Sequence, residues 1–99
     1  MVKKDESCEK NNRQSFVQVI FVCDLKPEAS EVFLVGNFND WDPRSDRMHK
    51  IEDRFQKIKK LSPGEHQYKF VVDGVWHTDP RTALQMPNDQ GGVNSLIRI

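Results

Sequence analysis

The sequence predicts an all-β domain, a small sandwich of about seven short antiparallel strands. Its apolar residues occur in short runs separated by turn residues, and no stretch has the length and period of a long helix. The clearest alternation runs from Glu65 to Asp73, where His66, Tyr68, Phe70 and Val72 fall on one face. This run ends in Asp73-Gly74, the strongest two-residue hairpin signal in the chain.

Six segments are predicted as strands, because each is rich in β-branched and aromatic residues and stops at a turn. They are Ser15–Cys23, Glu31–Gly36, Arg54–Leu61, Glu65–Asp73, Val75–Thr78 and Val93–Ile99. The Arg54–Leu61 segment also fits a helical period of three, but its short length and the following Ser62-Pro63-Gly64 turn favour a strand. The connection Arg81–Gly92 is predicted to be irregular, because Pro87 and the Gly91-Gly92 pair interrupt regular structure.

Length and composition predict one soluble domain. The chain has 99 residues with 15 basic and 15 acidic side chains, and no apolar run approaches the ~20 residues that a membrane span needs. Residues 1–14 are polar and are predicted to form a disordered leader, so the folded domain is expected at residues 15–99. Because nothing resembles a secretory signal, a cytoplasmic location is expected, with Cys8 and Cys23 as free thiols.

Charge and motifs argue against several functional classes. Between Arg44 and Lys60 the chain carries seven basic residues, but its net charge is zero, which argues against a nucleic-acid partner. No hydrolase, redox, metal-binding or phosphate-binding motif occurs, so no catalytic residue, metal or cofactor is predicted. The candidate acids lie in turns, where Asp commonly accepts backbone hydrogen bonds, and they are Asp40, Asp42, Asp73 and Asp79.

The two tryptophans lie close to polar turn residues. Trp41 follows the segment Gly36–Asp40, and Trp76 follows the Asp73-Gly74 turn. An indole offers a flat apolar surface to the C–H face of a pyranose ring, while Lys and Asn can bond the hydroxyl groups of the sugar. The same tryptophans could instead plug the end of a sandwich, and composition does not separate these two roles.

Three segments carry a family resemblance: Glu31–Trp41 with its VGNFNDW sequence, Leu61–Pro80 and Gly92–Ile99. Together they resemble the glycogen-binding module of AMP-activated protein kinase β-subunits and the early-set domain that precedes the barrel of isoamylases and branching enzymes. The resemblance covers nearly all of Phe16 to Ile99. It implies an immunoglobulin-like sandwich that binds α-1,4-linked glucans such as glycogen, starch or maltooligosaccharides, without catalysis of its own.

The resemblance also implies the binding residues. Two family tryptophans that stack on successive glucose rings match Trp41 and Trp76, and the sugar-contacting Lys and Asn match Lys69 and Asn94. Kinase-type modules carry a Leu that reaches past the sugar and a nearby Thr, where this chain has Gln90 and Gly92. Gln90 is therefore included as a fifth candidate contact.

Two other roles stay open at this stage. The segment Asn88–Ser95 is more similar to bacterial isoamylase-type early-set proteins, which implies an alternative in which the domain has lost glucan binding. Such a domain would dock on a glycogen-metabolising enzyme or on a kinase. An independent hydrolase is the third role, and it would require a pair of carboxylates in catalytic positions.

Overall fold

The computed structural model describes residues 16–88 and 92–99. Nine strands lie in this part of the chain, together with one turn of 3₁₀-helix at Asn37–Asn39. In chain order the strands are β1 (Val17–Cys23), β2 (Val32–Gly36), β3 (Asp46–Arg47), β4 (His49–Ile51), β5 (Arg54–Leu61), β6 (Glu65–Val72), β7 (Val75–His77), β8 (Gln85–Pro87) and β9 (Val93–Arg98).

The strands form two antiparallel sheets, which confirms the predicted all-β sandwich. The large sheet has the order β3-β2-β6-β9-β8, and the small sheet has the order β1-β5-β4. Strand β2 occupies one edge of β6, so β9 and β7 share the other edge: β9 pairs along Glu65–Tyr68 and β7 along Phe70–Val72. Among the described residues no helix is long and apolar enough to cross a bilayer.

Aromatic and aliphatic side chains from both sheets fill the space between them. The large sheet contributes alternate residues such as Leu34, Tyr68 and Phe70, and the small sheet contributes Phe21 and Phe55. Val71 faces the other way, yet it is also buried, in a small cluster with Phe33 and Val35 on the outer face of the large sheet. Strand β6 is therefore buried on both faces at its end, Phe70–Val72, although the alternation had indicated one core face.

Three short strands were missed, and one prediction was wrong. Strand β8, Gln85–Pro87, lies inside the connection that was predicted to be irregular. Pro87 is tolerated there because β8 is the last strand of its sheet and needs no second ladder. Strands β3 and β4 contain only two and three residues, too few for a periodic signal. The predicted leader, residues 1–14, and Cys8 lie outside the described residues.

A buried polar network attaches the β7–β8 connection to the core. The Tyr68 hydroxyl donates to the Asp79 carboxylate at 2.6 Å, and the Asp79 backbone N–H donates to the Ser95 hydroxyl at 2.7 Å. Burial, with the adjacent carboxylate, raises the pKa of Tyr68 above its ordinary value. Tyr68 therefore keeps its proton and acts only as a donor, which holds the chain that follows Trp76 against the sandwich.

The hairpin residue Asp73 fastens the β6–β7 turn to the loop before β2. Its carboxylate accepts the backbone N–H groups of Glu31 at 3.0 Å and Ser30 at 2.9 Å, and Lys26 lies 3.4 Å away. The Glu31 hydrogen bond is the main reason that the pKa of Asp73 lies below its ordinary value of 3.8.

This geometry predicts an acid-sensitive contribution to stability. Because the folded-state pKa of Asp73 is lowered, its stabilisation is complete well above pH 3.8 and is lost as the pH falls through the folded value. We expect Asp73→Asn to lower the melting temperature at pH 7, with the difference from wild type narrowing below about pH 4. Circular dichroism melts at pH 7 and pH 3 measure this, and a difference that is equal at both pH values would contradict it.

Candidate functional site

A groove of about 820 Å³ lies on the outer face of the large sheet, half open to solvent. Four of the five residues predicted from the sequence line it: Trp41, Lys69, Trp76 and Asn94. The fifth, Gln90, lies outside the described residues. The remaining lining residues are Asn37, Gln67, Pro87 and Asn88.

The register of β6 brings these residues together. Alternation along the strand places Gln67, Lys69 and Val71 on its outer face. Trp76 of β7 lies directly across from Val71. Ser95 pairs with Tyr68, which places Asn94 of β9 next to Lys69 on the same face. Residues from three strands therefore meet at one edge of β6.

The two indoles differ in their surroundings. Trp76 is 45% exposed on the short strand β7. Trp41 is half-buried, because it packs against the outer cluster of Phe33, Val35 and Val71. Neither ring lies in the interior between the sheets, so neither serves as the sandwich plug that composition left open.

The loop that carries Trp41 has an unusual backbone. Asp40 and Trp41 both adopt φ of 58°, in the left-handed region that most residues avoid. The Trp41 N–H donates to the Gly36 carbonyl at 2.9 Å, and the Asn39 side chain accepts the Gly36 N–H at 3.0 Å. These bonds close the loop tightly and offset the cost of the two left-handed residues.

A chain of side-chain amides runs across the floor of the groove. The Gly92 N–H donates to Asn88 Oδ1 at 3.0 Å, Asn88 Nδ2 donates to Asn94 Oδ1 at 3.2 Å, and Asn94 Nδ2 donates to Gln67 Oε1 at 3.0 Å. A backbone N–H can only donate, so the first bond fixes the orientation of every amide that follows. Gln67 Nε2 thus stands at the end of the chain as a donor.

The polar groups left for a ligand are mainly donors. Within the described residues the Lys69 ammonium and Gln67 Nε2 have no hydrogen-bond partner, and Asn37 Oδ1 is occupied by the Gln67 backbone N–H at 3.3 Å. No carboxylate belongs to the described lining residues. Two indole surfaces beside such donors suit a ligand with flat apolar faces and a rim of acceptor oxygens.

The candidate acids do not line the groove, and they have structural roles. Asp42 accepts the Arg44 N–H at 3.0 Å, and Asp79 accepts the Arg81 N–H at 2.9 Å, both as turn residues do. Asp73 closes the hairpin described above. Asp40 holds a left-handed position at the end of the 3₁₀ turn. Within the described residues no group of three or more potential metal ligands occurs.

Sequence reasoning missed the amide part of the site. Gln67 could have been found, because it shares the outer face of β6 with Lys69 by simple alternation. Asn88 and Pro87 could not, because their place depends on the unpredicted strand β8. Asn94 was predicted as a sugar contact, and the structure shows its amide bonded on both sides, to Asn88 and to Gln67.

Comparison with known proteins identifies the family. A family model described as the glycogen recognition site of AMP-activated protein kinase matches residues 17–99. The chain belongs to this family. The recognition module thus accounts for nearly all of the described residues, and the resemblance seen in the sequence is confirmed.

Curated relatives of the module are subunits of AMP-activated protein kinase. The beta-2 subunit of Homo sapiens is 41% identical over 71 residues, which cover 72% of this chain and 25% of that subunit. The beta-1 subunit of Rattus norvegicus is 39% identical over 71 residues, with 72% and 25% coverage. For beta-1 of Sus scrofa the identity is 39%, with 72% and 56% coverage. The chain thus spans about a quarter of the length of the human and rat relatives.

The tight approach of β2 to β6 predicts that Gly36 is required. A Cβ atom at Gly36 would lie 2.6 Å from the Gln67 carbonyl oxygen and 2.6 Å from the Phe38 ring. We expect Gly36→Ala to lower the free energy of unfolding by about 1–3 kcal/mol, because backbone and ring must both shift. Urea denaturation measures the loss, and wild-type stability in this variant would contradict the prediction.

Proposed function

We propose that the module binds α-1,4-linked glucan chains, such as glycogen, starch or maltooligosaccharides, in the groove on the large sheet. The observation that carries the proposal is the convergence of Trp41, Trp76 and Lys69 with the end of the amide chain in a single groove. Membership in the glycogen-recognition family supports the ligand class.

Each part of the groove has a role in this binding. The indoles of Trp41 and Trp76 stack on the C–H faces of glucose rings, which removes apolar surface from water. The Lys69 ammonium and the Gln67 amide donate hydrogen bonds to hydroxyl oxygens. Asn94 acts mainly through Gln67, whose amide it orients. Gln90, two residues after Asn88 in sequence, is proposed as a further contact.

The magnitudes describe a weak binder. If each indole loses roughly 100 Å² of apolar surface, two indoles contribute on the order of 5 kcal/mol at about 25 cal/mol per Å². Loss of translational freedom and desolvation of hydroxyl groups offset much of this. Dissociation constants for short oligosaccharides are therefore expected at roughly high-micromolar to millimolar values, with stronger retention on a polymer that offers many sites.

The proposed role is recognition without catalysis. Glycoside hydrolysis uses two carboxyl groups on either side of the scissile bond. In the described part of the chain Asp42, Asp73 and Asp79 are engaged in turn or core hydrogen bonds, and none of them lines the groove. The groove therefore binds and orients a glucan for chemistry performed elsewhere.

A docking role is the second candidate, and it is compatible with the first. Ile20 and Ile58 are paired across β1 and β5, and they are 59% and 52% exposed on the outer face of the small sheet. The curated relatives are kinase subunits, so a kinase is the proposed partner for this surface. A cytoplasmic setting is part of the proposal. It is supported by Cys23, which within the described residues is a buried free thiol.

The first test removes the exposed indole. We expect Trp76→Ala to weaken binding by at least about tenfold, because one stacking surface is lost, while the melting temperature changes little. Affinity electrophoresis through glycogen measures this, with relief by soluble maltoheptaose as proof of specificity. Val75→Ala is the matched control, since Val75 is 56% exposed on the same strand but does not line the groove.

Two results would contradict the proposal. Wild-type protein that migrates equally with and without glycogen would favour the docking role alone. A large loss of stability in Trp76→Ala would show that the ring supports the fold instead of a ligand.

The second test reverses the last hydrogen bond of the amide chain, the one between Asn94 and Gln67. A carboxylate in Asn94→Asp cannot donate to Gln67 Oε1, so Gln67 turns its NH₂ toward the new carboxylate and its oxygen toward the ligand. We expect about a tenfold loss of affinity for maltoheptaose, since a donor is replaced by an acceptor. Isothermal titration calorimetry measures this affinity. An unchanged affinity would show that the Gln67 amide does not contact the sugar.

A further inference from the structure

A partly buried ion cluster, centred on the buried Asp46 carboxylate, lies beneath the loop that carries Trp41. It consists of Asn39, Asp46, Lys57 and Lys59. The Lys59 ammonium lies 3.2 Å from the Asp46 carboxylate, and Lys57 lies 3.9 Å from it. Asn39 Nδ2 donates to the same carboxylate at 2.7 Å. The cluster therefore connects the small sheet, which carries both lysines, to the binding loop.

Strand register explains why these charges face inward. Asp46 pairs with Leu34, a fully buried core residue, so its carboxylate points toward the other sheet. Lys59 pairs with Val19, whose side chain packs against the core. Only 10% of the Asp46 side chain and 24% of the Lys59 side chain are exposed. A carboxylate in this position needs a partner, because removing a charge from water is costly.

Asn39 transmits the constraint to the groove. Three hydrogen bonds fix the orientation of its side-chain amide. Nδ2 donates to Asp46 and to the Leu34 carbonyl at 3.0 Å, and Oδ1 accepts the Gly36 N–H. The Gly36 carbonyl in turn accepts the Trp41 N–H. Asp40 and Trp41, both left-handed, depend on these bonds to keep their conformation.

We propose that Asp46 and Lys59 are positioning residues for glucan binding: their ion pair fixes Asn39 and thereby holds Trp41 at the edge of the groove. This inference rests on the proposed function for its consequence, although its structural part does not need a ligand. The pair touches no sugar, because neither residue lines the groove and both lie between the sheets. Affinity for glucan then depends on a contact between the two layers of the sandwich.

The test replaces the ion pair by apolar side chains. Asp46→Leu/Lys59→Met removes the carboxylate together with its nearer lysine, and such replacements commonly preserve folding. Lys57, which lies 3.9 Å from Asp46 and is 24% exposed, can turn its ammonium to solvent. Asn39 loses its carboxylate acceptor. Asp46→Asn provides a second, milder variant that keeps the shape of the side chain. Lys60→Met is the matched control, because Lys60 is the adjacent lysine on the exposed face of β5.

The first measurement needs no ligand. In proteins that retain a single indole through Trp76→Phe, we expect acrylamide to quench Trp41 fluorescence more strongly in both Asp46 variants than in the Lys60→Met control. In the complementary Trp41→Phe proteins, quenching of Trp76 should stay unchanged. Unchanged quenching of Trp41, or an equal rise at both indoles, would overturn the proposal, since the second result reports general loosening.

The second measurement is maltoheptaose affinity in proteins with both tryptophans. We expect about a tenfold loss in the double variant and none in Lys60→Met. Wild-type affinity in a double variant with altered Trp41 quenching would show that loop position does not govern binding and would overturn the proposal. If wild-type protein itself binds no glucan, the proposed function fails, while the quenching result still decides whether the cluster holds Trp41.

Discussion

The structure depends on the alternation of strand β6. Tyr68, Phe70 and Val72 point between the sheets and form the centre of the core. Gln67, Lys69 and Val71 point outward. Gln67 and Lys69 line the groove, and Val71 packs in the cluster that supports Trp41. Because side chains alternate between the two faces of a strand, a shift of one residue in the register of β6 would exchange the core residues with those of the proposed binding face. The core face and the proposed binding face thus share one eight-residue strand.

The sequence predicts those elements whose pattern lies within one short segment, and it misses those that depend on pairing between distant segments. Alternation in Glu65–Val72 and the Asp73-Gly74 turn are local, and the strand and hairpin were found within one residue of their observed limits. Strands β3, β4 and β8 form because neighbouring strands of the same chain offer backbone hydrogen-bond partners. No periodic pattern in their own residues marks them. Trp41, Lys69, Trp76 and Asn94 were selected through family resemblance. The direction of the amide chain required the register of β8 and β9, which only the structure supplies.

Polar groups in this small domain have different roles in the interior and at the surface of the groove. The Tyr68–Asp79–Ser95 network and the Asp46–Lys59 pair lie inside and fix the chain segments that carry the indoles. Lys69 and Gln67 lie at the surface with donor groups unpaired in the described part of the chain. A buried polar group without a hydrogen-bond partner costs free energy, whereas an exposed donor can bond to water until a ligand binds. This division allows a shallow groove to be rigid without an internal cavity.

The central claim is that Trp41 and Trp76 bind the same glucan chain. The most direct measurement is a fluorescence titration with maltoheptaose of two proteins that each keep one indole, Trp41→Phe and Trp76→Phe. We expect emission to change saturably in both proteins, because each retains one indole in contact with sugar. A response from one indole with silence from the other, at ligand concentrations raised far enough to offset the loss of one stacking surface, would contradict it.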